Sequence, residues 1–221
     1  MSKARDIADS TKTLDVDGGT IKLDGNYPTG TGNVALGDTA LDSVAASGNN
    51  NTAVGSNAGT AITTGDNNTL IGSLAGDALD AGGNNVAIGF RALSAEDGHG
   101  TNIAIGSDAL KVQNAGTNAY NIAIGHDAGK AVTTGVQNTL IGGSAGDALT
   151  DADYNTALGN AALGSDTKGS RSVAIGHNAL TTQNFTTATD TYNVAVGQNA
   201  GLNVTTGVQN TLIGGLAGDA L

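Results

Sequence analysis

One phrase of eight residues recurs eleven times along this 221-residue chain, and it limits the fold more than any other feature. The phrase runs asparagine, an aliphatic residue or threonine, alanine or leucine, an aliphatic residue, glycine, two variable residues and alanine. Repetition at a fixed period is typical of a solenoid, in which each repeat forms one turn of the chain. The eleven copies begin at Asn33, Asn51, Asn68, Asn85, Asn102, Asn121, Asn138, Asn155, Ser172, Asn193 and Asn210.

The spacing of the copies sets the length of one coil and the domain boundaries. Seven of the ten intervals are 17 residues, and the others are 18, 19 and 21 residues. We therefore predict an all-β domain over residues 33–221, a parallel β-solenoid of about eleven coils with the last one incomplete. Residues 1–32 lack the repeat and alternate polar and apolar side chains about Gly18 and Gly19. We expect them to form an N-terminal capping or connecting segment with a short β-hairpin.

Three positions of the phrase are nearly constant, so each reports a geometric demand made once per coil. The fifth residue is always glycine, which indicates a corner with positive φ or a close approach of two backbones. The eighth is always alanine, which indicates a site with no room for a larger side chain. The first is asparagine in ten copies and predicts a stacked amide ladder. Ser172, the exception, is expected to make a shorter version of the same bond.

The strand within each copy has no polar side. Residues alternate between two faces in a β-strand, so positions 2 and 4 lie on one face and position 3 on the other. Position 3 is Ala or Leu, and positions 2 and 4 are Val, Ile, Leu or Thr. One face can fill the interior of a coil with two short strands per turn, but the other face needs a partner. The pattern predicts self-association without telling which face lies inside.

Charge and motifs argue against several functions. A formal net charge of -11 disfavours nucleic acid, because phosphate binding needs clustered Lys and Arg. The chain has no cysteine, hence no thiolate metal site, and no apolar stretch long enough to span a membrane. Residues 142–146, GGSAG, match a nucleophile elbow around Ser144, but Leu74 and Leu216 hold the equivalent positions elsewhere. We therefore expect no enzyme activity, no cofactor and no metal site.

The phrases NVAIG, NIAIG and SVAIG, repeated in phase, resemble the head repeats of YadA-like trimeric autotransporter adhesins, which also occur in phage tail fibre proteins. The resemblance covers about residues 33–221. It implies a left-handed β-roll, a homotrimer that buries the second apolar face, and a rigid adhesive rod. The first 41 residues look like the start of tail fibre proteins of marine phages. The period of 17 is longer than is typical of the adhesin family, which suggests larger loops.

These observations favour a structural and adhesive fibre protein of a virion, a tail fibre segment that attaches to a bacterial host surface without catalysis. The alternatives are the head of a bacterial trimeric autotransporter adhesin on the cell surface, and a purely structural fibre spacer. Expected partners are two further copies of the chain, other tail or fibre proteins, and a bacterial surface glycan or outer-membrane protein. Aromatic residues in the irregular loops are the candidate receptor-binding residues: Phe185, Tyr192 and Tyr120. The alternative for the aromatic residues of the longest loop is that they pack over the flank of the roll or between chains.

Overall fold

A computed structural model describes residues 30–45 and 47–220, and the expected N-terminal hairpin lies outside these ranges. Within these ranges the chain is all-β, and it contains no helix that is long and apolar enough to cross a membrane. The strands are β1 (Val34–Leu36), β2 (Thr52–Val54), β3 (Thr69–Ile71), β4 (Val86–Ile88), β5 (Ile103–Ile105), β6 (Ile122–Ile124), β7 (Thr139–Ile141), β8 (Thr156–Leu158), β9 (Gly169–Ser170), β10 (Val173–Ile175), β11 (Thr189–Asp190), β12 (Val194–Val196) and β13 (Thr211–Ile213).

Eleven of these strands form one parallel sheet, with one strand from each coil, in the order β1-β2-β3-β4-β5-β6-β7-β8-β10-β12-β13. The predicted solenoid of about eleven coils is thus confirmed. The register aligns equivalent positions of neighbouring coils, so that Ala104 pairs with Ala123 and Ile105 with Ile124. The expectation of two strands per coil is wrong for most coils. Among the described residues a second strand occurs only where β9 pairs with β11.

The interior of the solenoid takes position 3 of the strand. Its Ala or Leu side chain is fully buried in coils 2 to 10, whereas positions 2 and 4 are half-buried or exposed. The structure therefore answers the question left open by the pattern. Ala, or Leu in every fourth coil, fills the interior at position 3, and the β-branched residues and Leu at positions 2 and 4 form a second apolar surface on the outside.

The invariant glycine turns the corner after each strand. Gly125 has φ of +141°, and a Cβ added there would lie 2.4 Å from the carbonyl oxygen of Gly142 in the next coil. Gly106 meets Gly125 in the same way, at 2.3 Å. Both reasons given for a glycine, positive φ and close backbone approach, are therefore confirmed at one position.

The asparagine ladder is also confirmed. The Oδ1 atom of Asn68 accepts the backbone N–H of Asn85 at 3.0 Å, and its Nδ2 donates across the coil to the carbonyl of Gly82 at 2.8 Å. Ser172 breaks the ladder and does not make the expected shorter bond to the next coil. Its hydroxyl bonds to Thr191 Oγ1 at 2.6 Å, and the backbone N–H of Asn193 donates to Thr191 Oγ1 instead. The serine side chain is shorter than that of asparagine, and its hydroxyl does not reach the backbone N–H of Asn193.

The sequence also repeats every four coils, in similar stretches that begin at Asn51, Asn121 and Asn193. Complementary side-chain sizes accompany this longer repeat. Position 9 is Gly in some coils and Leu in others. A Cβ on Gly129 would lie 2.8 Å from Cδ1 of Leu140, the position 3 leucine of the next coil. Leucine at position 3 thus fills the space that glycine leaves at position 9. A Cβ on Gly146, in the same coil as Leu140, would lie 2.8 Å from Cδ2 of this leucine, so each such leucine is matched by glycines in two successive coils.

Candidate functional site

The residue before each ladder position faces outwards and forms a straight file along the solenoid. We call this file the outer column. Most of its members are clearly exposed, and all have φ between +50° and +65°. The outer column comprises Asn50, Asn67, Asn84, Thr101, Tyr120, Gln137, Tyr154, Arg171, Tyr192 and Gln209.

Backbone hydrogen bonds to the preceding coil help to hold this left-handed conformation. The N–H of Asn67 donates to the carbonyl of Asn49 at 2.9 Å, and that of Tyr154 donates to the carbonyl of Val136 at 3.1 Å. The N–H of Arg171 donates to Asp153 at 3.0 Å in the same manner. The fold therefore dictates the backbone at this position, and the side chain is free to vary.

The second half of the outer column carries aromatic side chains in alternate coils. Tyr120, Tyr154 and Tyr192 are 54%, 44% and 52% exposed. Arg171 lies between the last two, with its Cζ 4.6 Å from the ring centre of Tyr154 and 6.0 Å from that of Tyr192. A guanidinium over a ring face is an attractive arrangement. These four exposed side chains lie along one stretch of the outer column, and we call them the tyrosine cluster.

The structure brings two of the three predicted receptor-binding residues into this cluster, namely Tyr120 and Tyr192. Phe185 follows the alternative of packing on the flank of the roll, because only 8% of its surface is accessible. Its backbone N–H donates to Asp166 Oδ1 at 2.9 Å, and its carbonyl accepts the N–H of Lys168 at 3.0 Å. Phe185 thus anchors the longest loop to the flank of the solenoid.

Sequence reasoning missed Tyr154 and Arg171. Both lie in coils of ordinary length, so a search confined to irregular loops passes over them. Their position in the repeat was the available indication, since each directly precedes the first residue of a copy, as Tyr120 and Tyr192 do.

Ion pairs leave little positive charge beside the tyrosine cluster. Arg171 Nε lies 3.1 Å from Asp190 Oδ1, and Lys168 Nζ lies 3.2 Å from Asp151 Oδ2. Tyr192 also donates its hydroxyl to Asp190 Oδ2 over a long 3.4 Å. The cluster therefore offers aromatic surface together with neutralised polar groups, and it is poorly suited to a polyanion.

The outer face of the sheet is a second uniform surface. Positions 2 and 4 of all eleven coils place Val, Ile, Leu or Thr there. At position 4, Ile71 is 38% exposed, Leu158 is 45% exposed and Ile213 is 71% exposed. At about 4.8 Å per strand, this apolar surface is about 50 Å long. Contiguous apolar surfaces of this kind mark interaction sites.

Two buried carboxylates lie inside the solenoid, one in coil 4 and one in coil 8. Glu96 Oε2 accepts a bond from Gln113 Nε2 at 3.0 Å, and its Oε1 accepts the N–H of His99 at 3.2 Å. Burial raises the pKa of Glu96, although the backbone N–H of His99 partly opposes the change. Asp166 occupies the same position of its coil and accepts a bond from Gln183 Nε2 at 2.5 Å.

One group of side chains that includes Glu96 has metal-ligating chemistry. Glu96, Asp97 and His99 each offer a ligand atom, and these atoms lie within 4.8 Å of one another. However, both Glu96 oxygens already accept hydrogen bonds, and Asp97 is exposed. The expectation of no metal site is neither confirmed nor contradicted by this arrangement.

Comparison of the chain with family models, with curated proteins and with solved structures gives no match. The case for a function therefore depends on the two surfaces just described.

Proposed function

We propose that the protein is a homotrimeric, left-handed β-roll rod that serves as a segment of a phage tail fibre. In this proposal the fibre attaches the virion to a bacterial host surface through a glycan or an outer-membrane protein. No step of catalysis is involved. The described coils provide a stiff scaffold, and the exposed side chains provide the binding.

The observation that carries the proposal is the apolar outer face of the sheet. The interior is already filled by position 3, so Val, Ile and Leu at positions 2 and 4 are left without a covering layer in a single chain. Every coil repeats this surface in register, and so does every copy of the chain. Copies of the same chain can therefore cover one another along the whole rod. Burial of such surface stabilises the assembly by about 25 cal/mol per Å².

A regular rod suits attachment because it repeats weak contacts. Three parallel chains would present three tyrosine clusters at fixed separations on one particle. Simultaneous engagement of several such sites raises the overall avidity well above the affinity of one site.

The oligomeric state tests the proposal directly. Native mass spectrometry of the whole chain should give three times the mass of one chain. Ile124→Lys places a charge on the outer face and should dissociate the trimer. His126→Lys is the matched control, since this side chain lies two residues away and is 72% exposed. It should leave the trimer intact. A monomeric parent protein, or a trimer unaffected by Ile124→Lys, would contradict the proposal.

A further inference from the structure

The tyrosine cluster has a regular spacing along the rod. Tyr120, Tyr154 and Tyr192 end coils 5, 7 and 9, so each ring lies two coils from the next. With strands about 4.8 Å apart, two coils correspond to about 10 Å. Gln137 and Arg171 occupy the coils between the rings. The cluster is thus a straight file in which aromatic and hydrogen-bonding side chains alternate.

The backbone does not explain why tyrosine stands at these positions. The φ angles of Tyr120, Tyr154 and Tyr192 are +54°, +59° and +50°. Bulky residues are strongly disfavoured in this region, whereas asparagine tolerates it. The equivalent residues Asn67 and Asn84 follow that preference. Thr101, Gln137 and Arg171 hold equivalent positions at φ of +57° to +65°, so the fold accepts several side chains here and does not itself require tyrosine.

The cluster is organised before any ligand arrives. Arg171 lies against the ring of Tyr154 at 4.6 Å and pairs with Asp190 at 3.1 Å, and Asp190 in turn accepts the hydroxyl of Tyr192. Side chains held in this way lose little conformational freedom on binding. This linked set joins coils 7, 8 and 9 into one surface.

The chemistry of this surface matches a sugar polymer. Half-exposed phenol rings can pack against the apolar C–H groups of a pyranose, and the hydroxyl, amide, carboxylate and guanidinium groups can bond its hydroxyls. Ion pairing of Arg171 and Lys168, and a net charge of -11, disfavour an anionic polymer. A ring every two coils corresponds to the length of one extended disaccharide.

We infer that the tyrosine cluster binds a neutral, linear polysaccharide that lies parallel to the rod axis, with successive disaccharide units on successive tyrosines. This inference rests on the proposed adhesive function and names the class of receptor. A bound chain of sufficient length spans all three tyrosines, so its affinity depends on its length.

Affinity measurements on the intact protein test the inference. The probes are neutral β-glucan, galactan, mannan and chitin oligosaccharides of increasing length, with polygalacturonate as the anionic comparison. At least one neutral polymer should bind, and its affinity should rise with length up to the span of the cluster. Tyr154→Ala should weaken binding of that polymer about three- to tenfold, as expected for loss of one aromatic contact. Tyr154→Phe should retain most of the affinity.

Asn67→Ala is the matched control, since it truncates the same position of the repeat outside the cluster and should leave binding unchanged. Failure to bind any neutral polymer, stronger binding of polygalacturonate, or equal binding by Tyr154→Ala would overturn the inference. Binding of the protein to bacterial cells is measured in parallel. Cell binding that survives periodate oxidation of cell-surface sugars but is lost after protease treatment would indicate a protein receptor, which overturns this inference while the adhesive function stands. A trimer that binds no host cell would instead contradict the adhesive function.

Discussion

The two halves of the outer column share one backbone but differ in their side chains. Asn67 and Tyr154 have φ of +60° and +59°, and both N–H groups donate to the preceding coil. In the first half the residue is mostly asparagine, which adopts this conformation at low energetic cost. In the second half tyrosine adopts it at a higher cost and exposes an aromatic ring. The fold therefore determines the backbone at this column, and the side chain differs between the two halves.

The largest predicted effect tests whether both halves really share one scaffold. Gly125→Ala should destabilise the second half by about 4 kcal/mol, because a Cβ would combine unfavourable φ with overlap of the next coil. Gly55→Ala should cost the same in the first half, where the added Cβ lies 2.6 Å from the Gly72 carbonyl. Thermal unfolding at a fixed protein concentration measures both variants.

Gly214→Ala is the control for that pair. Its φ is +122°, but nothing described lies within 4 Å of an added Cβ, so only the conformational part of the penalty remains. Equal losses at Gly214 and Gly125 would show that coil-to-coil overlap contributes nothing. Unequal losses at Gly55 and Gly125 would show that the halves do not share one scaffold.

A smaller effect comes from the buried carboxylate of the first half. Because burial raises the pKa of Glu96 in the folded state, its contribution to stability is greatest below the ordinary value of 4.5 and is lost as the pH rises through the folded pKa. As the pH falls from neutral, Glu96 should therefore make a growing positive contribution to the melting temperature of the parent protein. The double variant Glu96→Leu with Gln113→Leu should lack this contribution.

An aliphatic residue fits in place of Glu96, since Ile62 and Leu79 hold the same position in coils 2 and 3. We expect the double variant to be at least as stable as the parent at neutral pH, because apolar groups often replace buried polar pairs without loss. The measurement is the melting temperature between pH 4.5 and pH 7 for both proteins. Identical pH profiles would show that Glu96 does not titrate differently in the folded state.

The smallest predicted effect exchanges the side chains of the two halves. Asn67→Tyr should destabilise by about 1 kcal/mol, because a bulky residue replaces one that tolerates positive φ. Tyr154→Asn should stabilise by about 0.5 kcal/mol, less than the reverse change costs, because the contact of Tyr154 with Arg171 is lost. Each change shifts the melting temperature by about 1 to 4 °C, and changes of the same sign would contradict the comparison.

Much of the fold was predictable because the repeat presents the same demand many times. A glycine at Gly125 alone has many explanations, but glycine at one position of eleven copies indicates a corner. The candidate site was less predictable because its residues do not repeat in every coil. Tyr120 and Tyr192 were found through the long loops that precede them, and the same reasoning included Phe185, which the structure buries against the solenoid.

The sequence by itself determined the number of coils, the strand positions, the glycine corners and the asparagine ladder, because local geometry imposes each of them on every copy. Only the tertiary structure decided which apolar face lies inside, since Ala104 and its neighbours Ile103 and Ile105 are all apolar, and the direction in which the chain coils turns Ala104 inwards and leaves the two isoleucines half-buried on the outside. It also decided that Tyr120, Tyr154, Arg171 and Tyr192 stand in one file, because stacking of coils turns residues about 17 positions apart into neighbours about 4.8 Å apart.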